Sequence, residues 1–260
     1  MLKPLLASLA LFGLAAPALA QTQTSVRAEY LVTLGGINVA TVGIGLEDDG
    51  SRYRLDVAAR VTGLGNLVTS GTAEASVAGR ATAPALTSEE FDLTTRAGGE
   101  SFSVDISYSG RNVTAFRVTP PLPDTYDRIA IERSHLNGVG DMVSAFIVKN
   151  GVLDQSLCQR TLRIFTGVER FDIAMSFAGT DTATSPRTAY QGPVILCSLD
   201  YRPISGHYQS SEITQYLDQV SRILIWYAPL GETGYFIPYR ALVGTGAGDL
   251  SMILVGLRGP

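Results

Sequence analysis

Apolar and polar positions alternate at period two along most of this chain, the spacing of strands with one dry and one wet face. Val26, Ala28, Tyr30, Val32 and Leu34 share one side of a first strand. Gly35-Gly36 turns it, and Ala40, Val42, Ile44 and Leu46 line a second. Asp48-Asp49-Gly50 is hairpin-turn chemistry, after which Tyr53, Leu55, Val57, Ala59 and Val61 alternate again. Further strands are predicted over 71–79, 87–95, 101–109 and 112–119, with turns at Gly98-Gly99 and Ser109-Gly110-Arg111-Asn112. The N-terminal half reads as an antiparallel meander.

Thr119-Pro120-Pro121-Leu122-Pro123 ends that pattern, because proline has no N–H to give to a ladder. A helix is predicted from Asp141, a suitable N-cap, with Val143, Phe146 and Ile147 on one face and Asn150-Gly151 as its stop. Strands resume at Leu162 and Ile164, from Val168 to Phe177, and over 188–202. Ser211 to Val220 places Ile213, Tyr216, Leu217 and Val220 at helical spacing, before strand propensity takes over in Ile223-Leu224-Ile225-Trp226-Tyr227. A closing hairpin joins Tyr235–Val243 to Ser251–Leu257 across Gly244 to Gly248. The expected fold is all-β: one strongly curved antiparallel sheet, an incomplete barrel or a β-spiral, of about 10–14 strands with one short helix.

The N-terminus departs from alternation. Lys3, an apolar run from Leu5 to Ala16, and Ala18-Leu19-Ala20 before Gln21 form a secretory leader cut after Ala20. The run is shorter than the roughly 20 residues that span a bilayer, and Pro17 interrupts it. Gln21 stands where a lipoprotein carries cysteine, and no later segment is apolar and long enough to cross a membrane. The expectation is a signal peptide over 1–20 and a single periplasmic domain over 21–260. Export brings an oxidising compartment. Cys158 and Cys197 form no C-x-x-C and fit no zinc spacing with His135 and His207, so a disulfide is expected. Closing a loop of about 40 residues stabilises a fold by roughly 4 kcal/mol.

Charge narrows the partners. With 20 basic against 24 acidic side chains, a net charge of −4 and no Lys/Arg cluster, nucleic acid and anionic membrane surfaces are excluded as targets. No G-x-S-x-G is present, and the chain neighbours Ser134-His135 and Gly206-His207 make no triad by adjacency. Asp48-Asp49-Gly50 lacks calcium-loop spacing, and Gly244 to Gly248 lacks the Lys-Ser/Thr of a phosphate loop. No catalytic residue, metal site or cofactor is assigned. The aromatic C-terminal hairpin, with Trp226, Tyr227, Tyr235, Phe236 and Tyr239, is the candidate chemistry that remains. Trp226, Tyr227 and Tyr239 are read as candidate contacts for a hydrophobic ligand, with a plain core role as the alternative.

Three segments carry a resemblance. LNGVGDMVSAFIV at 136–148 resembles a G-V-x-D-P-[LM]-S-A helix start, with Met142 in place of proline. CQRTLRIFTGVERFDI at 158–173 resembles C-x-x-x-x-x-[VI]-F-D-G-x-x-R-[FY]-[DN]-[LI], with Thr166 in place of Asp. CSLDYRPISGHY at 197–208 resembles C-x-x-x-[YF]-x-P-[IV]-[AS]-G-[YH], and Ile225-Trp226 through Arg240 is similar to the strands that follow it. The ordered set resembles domain-of-unknown-function family 3108, secreted β-rich proteins of alphaproteobacteria. The resemblance implies a periplasmic protein with a Cys158–Cys197 disulfide and implies no catalysis. The matching Asp141, Ser144, Arg170 and Asp172 are read as a structural polar cluster, with Gly167 making a hairpin turn. In that reading Arg170 meets a carboxylate beside Asp172 and pins the helix to the sheet. The expected function is non-enzymatic envelope maintenance, with a lipid or other hydrophobic ligand bound. The alternatives are a scaffold for an envelope protein partner and, behind it, a hydrolase built on His207 or His135.

Overall fold

The predicted alternation becomes fourteen antiparallel strands in a computed structural model, which describes residues 23–63, 65, 70–123, 125–219 and 222–259. The leader expected over residues 1–20 lies outside the described residues. The first meander runs β1 (Thr24–Leu34), β2 (Ile37–Asp48), β3 (Arg52–Val61), β4 (Gly71–Thr82), β5 (Ala85–Ala97), β6 (Glu100–Ser109) and β7 (Asn112–Thr119). After a loop-rich stretch come β8 (Val148–Lys149), β9 (Thr161–Phe165), β10 (Arg170–Ala183), β11 (Gly192–Ser205), the helix α1 (Glu212–Gln219), β12 (Ile223–Pro229), β13 (Tyr235–Val243) and β14 (Leu250–Arg258). The sheet order is β7-β6-β5-β4-β3-β2-β1-β14-β13-β12-β11-β10-β9. β1 and β14 therefore join the two meanders in mid-sheet.

Closure comes from the shortest strand. β8 pairs with β13 through Tyr235↔Lys149 and Phe236↔Val148, and with β5 through Ala85↔Val148. Strands β5 to β1, β14, β13 and β8 thereby close an 8-strand barrel. The remaining strands run past the seam on either side and overlap. Phe116 on β7 meets Phe165 on β9 edge-to-face at 5.1 Å, and the Tyr108 hydroxyl donates to the Phe165 carbonyl. Gly140 covers the outer edge of β9: its N–H donates to the Arg163 carbonyl at 2.9 Å, and its own carbonyl accepts from Phe165 N–H at 3.0 Å. Covering an edge in this way blocks further strand pairing.

Two cores result. Val26, Ala28, Tyr30, Leu46, Leu55, Val77 and Phe91 point into the barrel. Leu162, Ile164, Met175, Ile195, Leu199 and Tyr227 pack around the disulfide outside it. β12 separates the two, with Trp226 and Ala228 facing the barrel and Ile225 and Tyr227 facing the disulfide. Burial on both faces explains why 223–227 is a continuous apolar run instead of an alternating one. Cys158 and Cys197, both wholly buried with Cα atoms 5.4 Å apart, bond the turn before β9 to β11.

The helix expected from Asp141 is absent. Its cap forms as predicted, with Asp141 Oδ1 accepting from Val143 N–H and Ser144 N–H at 2.7 Å each. Only a 3-10 turn over Ser144–Phe146 follows. A segment this short cannot hold a helix by itself, and β-branched Ile147 and Val148 are recruited into the barrel seam. The one α-helix among the described residues is instead α1 over Glu212–Gln219, begun by Ser211, whose carbonyl accepts from Gln215 N–H at 3.0 Å. Its buried residue is Thr214, while Ile213 is 65% exposed, so the side buried is not the apolar side read from the sequence. Val220 lies outside the described residues.

Candidate functional site

The barrel interior is not filled. A cavity of about 350 Å³ is bounded by β1–β3 through Val26, Ala28, Tyr30, Ile44, Leu46 and Leu55, by Ile237, Pro238 and Leu242 of β13, and also by Ile173, Leu199 and Ile225 of the disulfide-side core, so that it reaches from the barrel interior to that second core. The segment that makes the 3-10 turn supplies Met142, Val143, Phe146 and Ile147. Among the described residues no charged side chain lines it. Its one hydroxyl, Tyr30, donates to the Pro238 carbonyl at 2.9 Å and is thereby satisfied. Met142 lines the cavity yet is 41% exposed, which puts it at the mouth.

Two buried carboxylates fasten the segment between β7 and β9 against the barrel. Asp141 is wholly buried and has no cation partner among the described residues. Besides its two backbone donors, its Oδ2 accepts from the hydroxyls of Ser88 on β5 and Ser144. Those hydroxyls lie 3.2 Å apart, and the Tyr53 hydroxyl reaches Ser88 at 3.4 Å. Burial, then the Asp141 charge, raises the Tyr53 phenol above its ordinary value. The second carboxylate is Asp48, 3% exposed at the end of β2. It accepts from Lys149 Nζ at 2.5 Å, from the Tyr235 hydroxyl at 2.7 Å and from Gly50 N–H at 2.8 Å. Lys149 belongs to the seam strand β8, and Lys3 is the only other lysine of the sequence.

The residues singled out from the sequence divide differently. Arg170 does meet Asp172, at 2.6 Å, with the arginine 3% exposed. This pair lies on β10 and makes no contact with Asp141 or Ser144, so the expected single polar cluster is two. What fixes the 139–141 stretch to the sheet is backbone pairing of Gly140 with β9, not the Arg170 ion pair. Gly167, at φ +86°, makes the β9–β10 turn as read, and a Cβ there would stand 2.2 Å from Val104 Cγ1. Trp226, Tyr227 and Tyr239 do not line the cavity. The Trp226 indole donates to Asp181 at 3.1 Å beneath the Arg240 guanidinium. The Tyr227 hydroxyl takes a bond from Arg160 at 2.6 Å, and the Tyr239 hydroxyl donates to Thr188 at 3.2 Å. Their phenol and indole groups are thus committed within the fold. The cavity residues missed by sequence reading are small aliphatics that look like any other inward strand positions.

Among the described residues neither histidine is hydrogen-bonded to a serine hydroxyl or a thiol. His135 Nδ1 accepts from the Glu132 N–H at 3.1 Å, and the buried His207 Nδ1 has no partner. Near His207, burial pushes the Glu169 carboxyl above its ordinary 4.5, with His207 and Arg128 opposing the shift. The folded state then holds that proton more tightly than the unfolded chain does. Stability from Glu169 is full below pH 4.5 and fades as pH rises through its higher folded-state value. Melting temperatures between pH 4 and 7 are expected to fall less for Glu169→Gln than for the wild type.

Among curated proteins, none matches the sequence. A crystal structure described as a β-barrel-like protein of domain of unknown function DUF1849, from Brucella abortus, is similar in fold. Its TM-score is 0.50 at 13% identity, covering 91% of this chain and 98% of that one. The family described as "Protein of unknown function (DUF3108)" matches residues 29–255, which spans the barrel, the seam strand, the disulfide and the cavity, and the chain belongs to that family.

Proposed function

We propose that this chain serves envelope maintenance in the periplasm by holding an acyl chain, or a comparable hydrophobic ligand, inside its barrel. The observation that carries the reading is the 350 Å³ cavity lined by no charged side chain, its one hydroxyl already used. An apolar cavity stays dry, so hydrocarbon entering it displaces no hydrogen-bonded water. Met142 at the mouth has a flexible, polarisable side chain that can adapt to a passing chain. The leader read from the sequence supports the compartment, and the barrel fold by itself favours no ligand.

Native mass spectrometry of the protein isolated from a periplasmic extract is expected to show a polypeptide beginning at Gln21 with a lipid mass attached. Ala28→Phe places a ring in the cavity and is expected to remove that mass. Met142→Trp narrows the mouth and is expected to slow uptake of a fluorescent fatty acid, while changing stability by no more than about 0.5 kcal/mol, as surface substitutions do. A bare protein mass, together with no fatty-acid uptake by the wild type, would sink the reading.

A further inference from the structure

A second cavity, of about 400 Å³, lies on the other side of the same segment, sharing Ile147 with the apolar one. Its lining is mixed. Arg111 from the β6–β7 turn, Arg160 just before β9 and Arg163 within β9 line it beside apolar residues such as Leu86 and Leu162, and among the described residues no aspartate or glutamate does. Among the described residues none of the three is ion-paired with a carboxylate, in a chain whose net charge is negative.

The guanidinium groups of Arg111 and Arg163 converge on one point. Arg111 Nη2 donates to the Gly138 carbonyl at 3.3 Å, and Arg163 Nη1 stands 3.1 Å from where a Cβ on Gly138 would be. Gly138 has φ +67°, and a side chain there would press on Arg163. Arg160 is held from behind: its guanidinium stacks on the Tyr227 ring at 5.4 Å, and its Nη2 donates to the Tyr227 hydroxyl. Its Nε is buried and donates to nothing. A buried donor without an acceptor is costly, so a position of this kind is set up to receive one. Asp141 lies behind the wall formed by Ser88 and Ser144, its charge already engaged by two N–H and two hydroxyl donors.

We propose that this cavity is an anion site that takes a phosphate group. The Arg111 and Arg163 guanidinium groups meet at Gly138, and Arg160 lines the same cavity with its Nε free, a set of donors that suits the terminal oxygens of a phosphate dianion; planar bidentate donation is what arginine supplies and lysine does not. The phosphate can be free or the headgroup of a lipid. Both offer the same oxygens to Arg111, Arg160 and Arg163. The site stands independently of the apolar cavity, because its ligands and its walls differ.

Calorimetric titration with inorganic phosphate, water-soluble dihexanoylphosphatidic acid and dihexanoylglycerol, at constant ionic strength, separates the sources. The Arg160 Nε–H resonance is followed in parallel. Saturable binding of inorganic phosphate marks a free-phosphate site. Binding of phosphatidic acid alone marks a lipid headgroup, and either result supports the proposal. Arg111→Gln and Arg163→Gln alter exposed side chains and leave folding intact; each is expected to weaken binding roughly tenfold. The Arg160 resonance is expected to shift on saturation. The proposal is overturned if neither phosphate compound binds, if the glutamine variants bind as tightly as wild type, or if dihexanoylglycerol binds as well as phosphatidic acid. Loss of the lipid mass in Ala28→Phe with phosphate binding retained would keep the two cavities distinct.

Discussion

Replacing Lys149 by methionine is expected to destabilise the protein by about 3–5 kcal/mol, the cost of leaving a buried carboxylate without its cation. Methionine keeps the length and apolar stem of lysine, so packing against the Tyr235 ring survives and the ammonium alone is lost. Asp48 would then keep the Tyr235 hydroxyl and the Gly50 N–H but carry an uncompensated charge at 3% exposure. For a domain of this size the melting temperature should fall by roughly 10 °C or more. The loss should concentrate at the seam, because β8 meets β5 through a single residue pair and β13 through only two. Hydrogen exchange at Val148 and Lys149 is the local readout. The double substitution Asp48→Asn with Lys149→Met removes both charges and should regain much of the stability. If Lys149→Met costs less than about 1 kcal/mol, the pair is behaving as a solvated surface bridge and the latch is wrong.

Asp141→Ala is the second large effect, expected at about 3–5 kcal/mol from four donors losing one acceptor group in a dry site. Ser88 and Ser144 can still face each other across 3.2 Å, but the N–H groups of Val143 and Ser144 have no other acceptor. Asp141→Asn should cost less than alanine, because the amide oxygen still serves the backbone and rotated hydroxyls can accept from the amide nitrogen. Urea midpoints of the two variants test the ordering. Equal midpoints for wild type, asparagine and alanine would mean that the capped turn contributes nothing to the fold. The same substitutions loosen Met142 to Ile147, so a bound acyl chain should leave faster from Asp141→Ala.

The strands of the first meander were legible because each carries its own signal: inward residues two apart and Gly or Asp-Gly at the turn. Tyr53 and Leu55, or Val104 and Ile106, need no distant partner to be read as one face. Barrel closure was not legible. It rests on Val148 and Lys149, two residues whose strand character exists only through pairing with Tyr235, Phe236 and Ala85. The cap at Asp141 was readable and the missing helix behind it was not, since tertiary pairing overrode the local signal. Trp226, Tyr227 and Tyr239 drew attention by size, yet sequence gives no clue to which sheet face meets an empty space. The arginines of the polar cavity are spread from 111 to 163, and only the overlap of the two sheet ends brings them together.

The pairing of β1 with β14, from Arg27↔Arg258 to Leu34↔Leu250, sets the order in which this protein can be assembled. A chain emerging N-terminus first presents β1 with one neighbour, β2, and an unpaired flank until the final strand arrives. Contacts between such remote residues form late and slowly. The barrel therefore stays open throughout synthesis and completes in one last zippering step. The apolar interior is then sealed only when β14 pairs with β1, after the whole length of the chain is available.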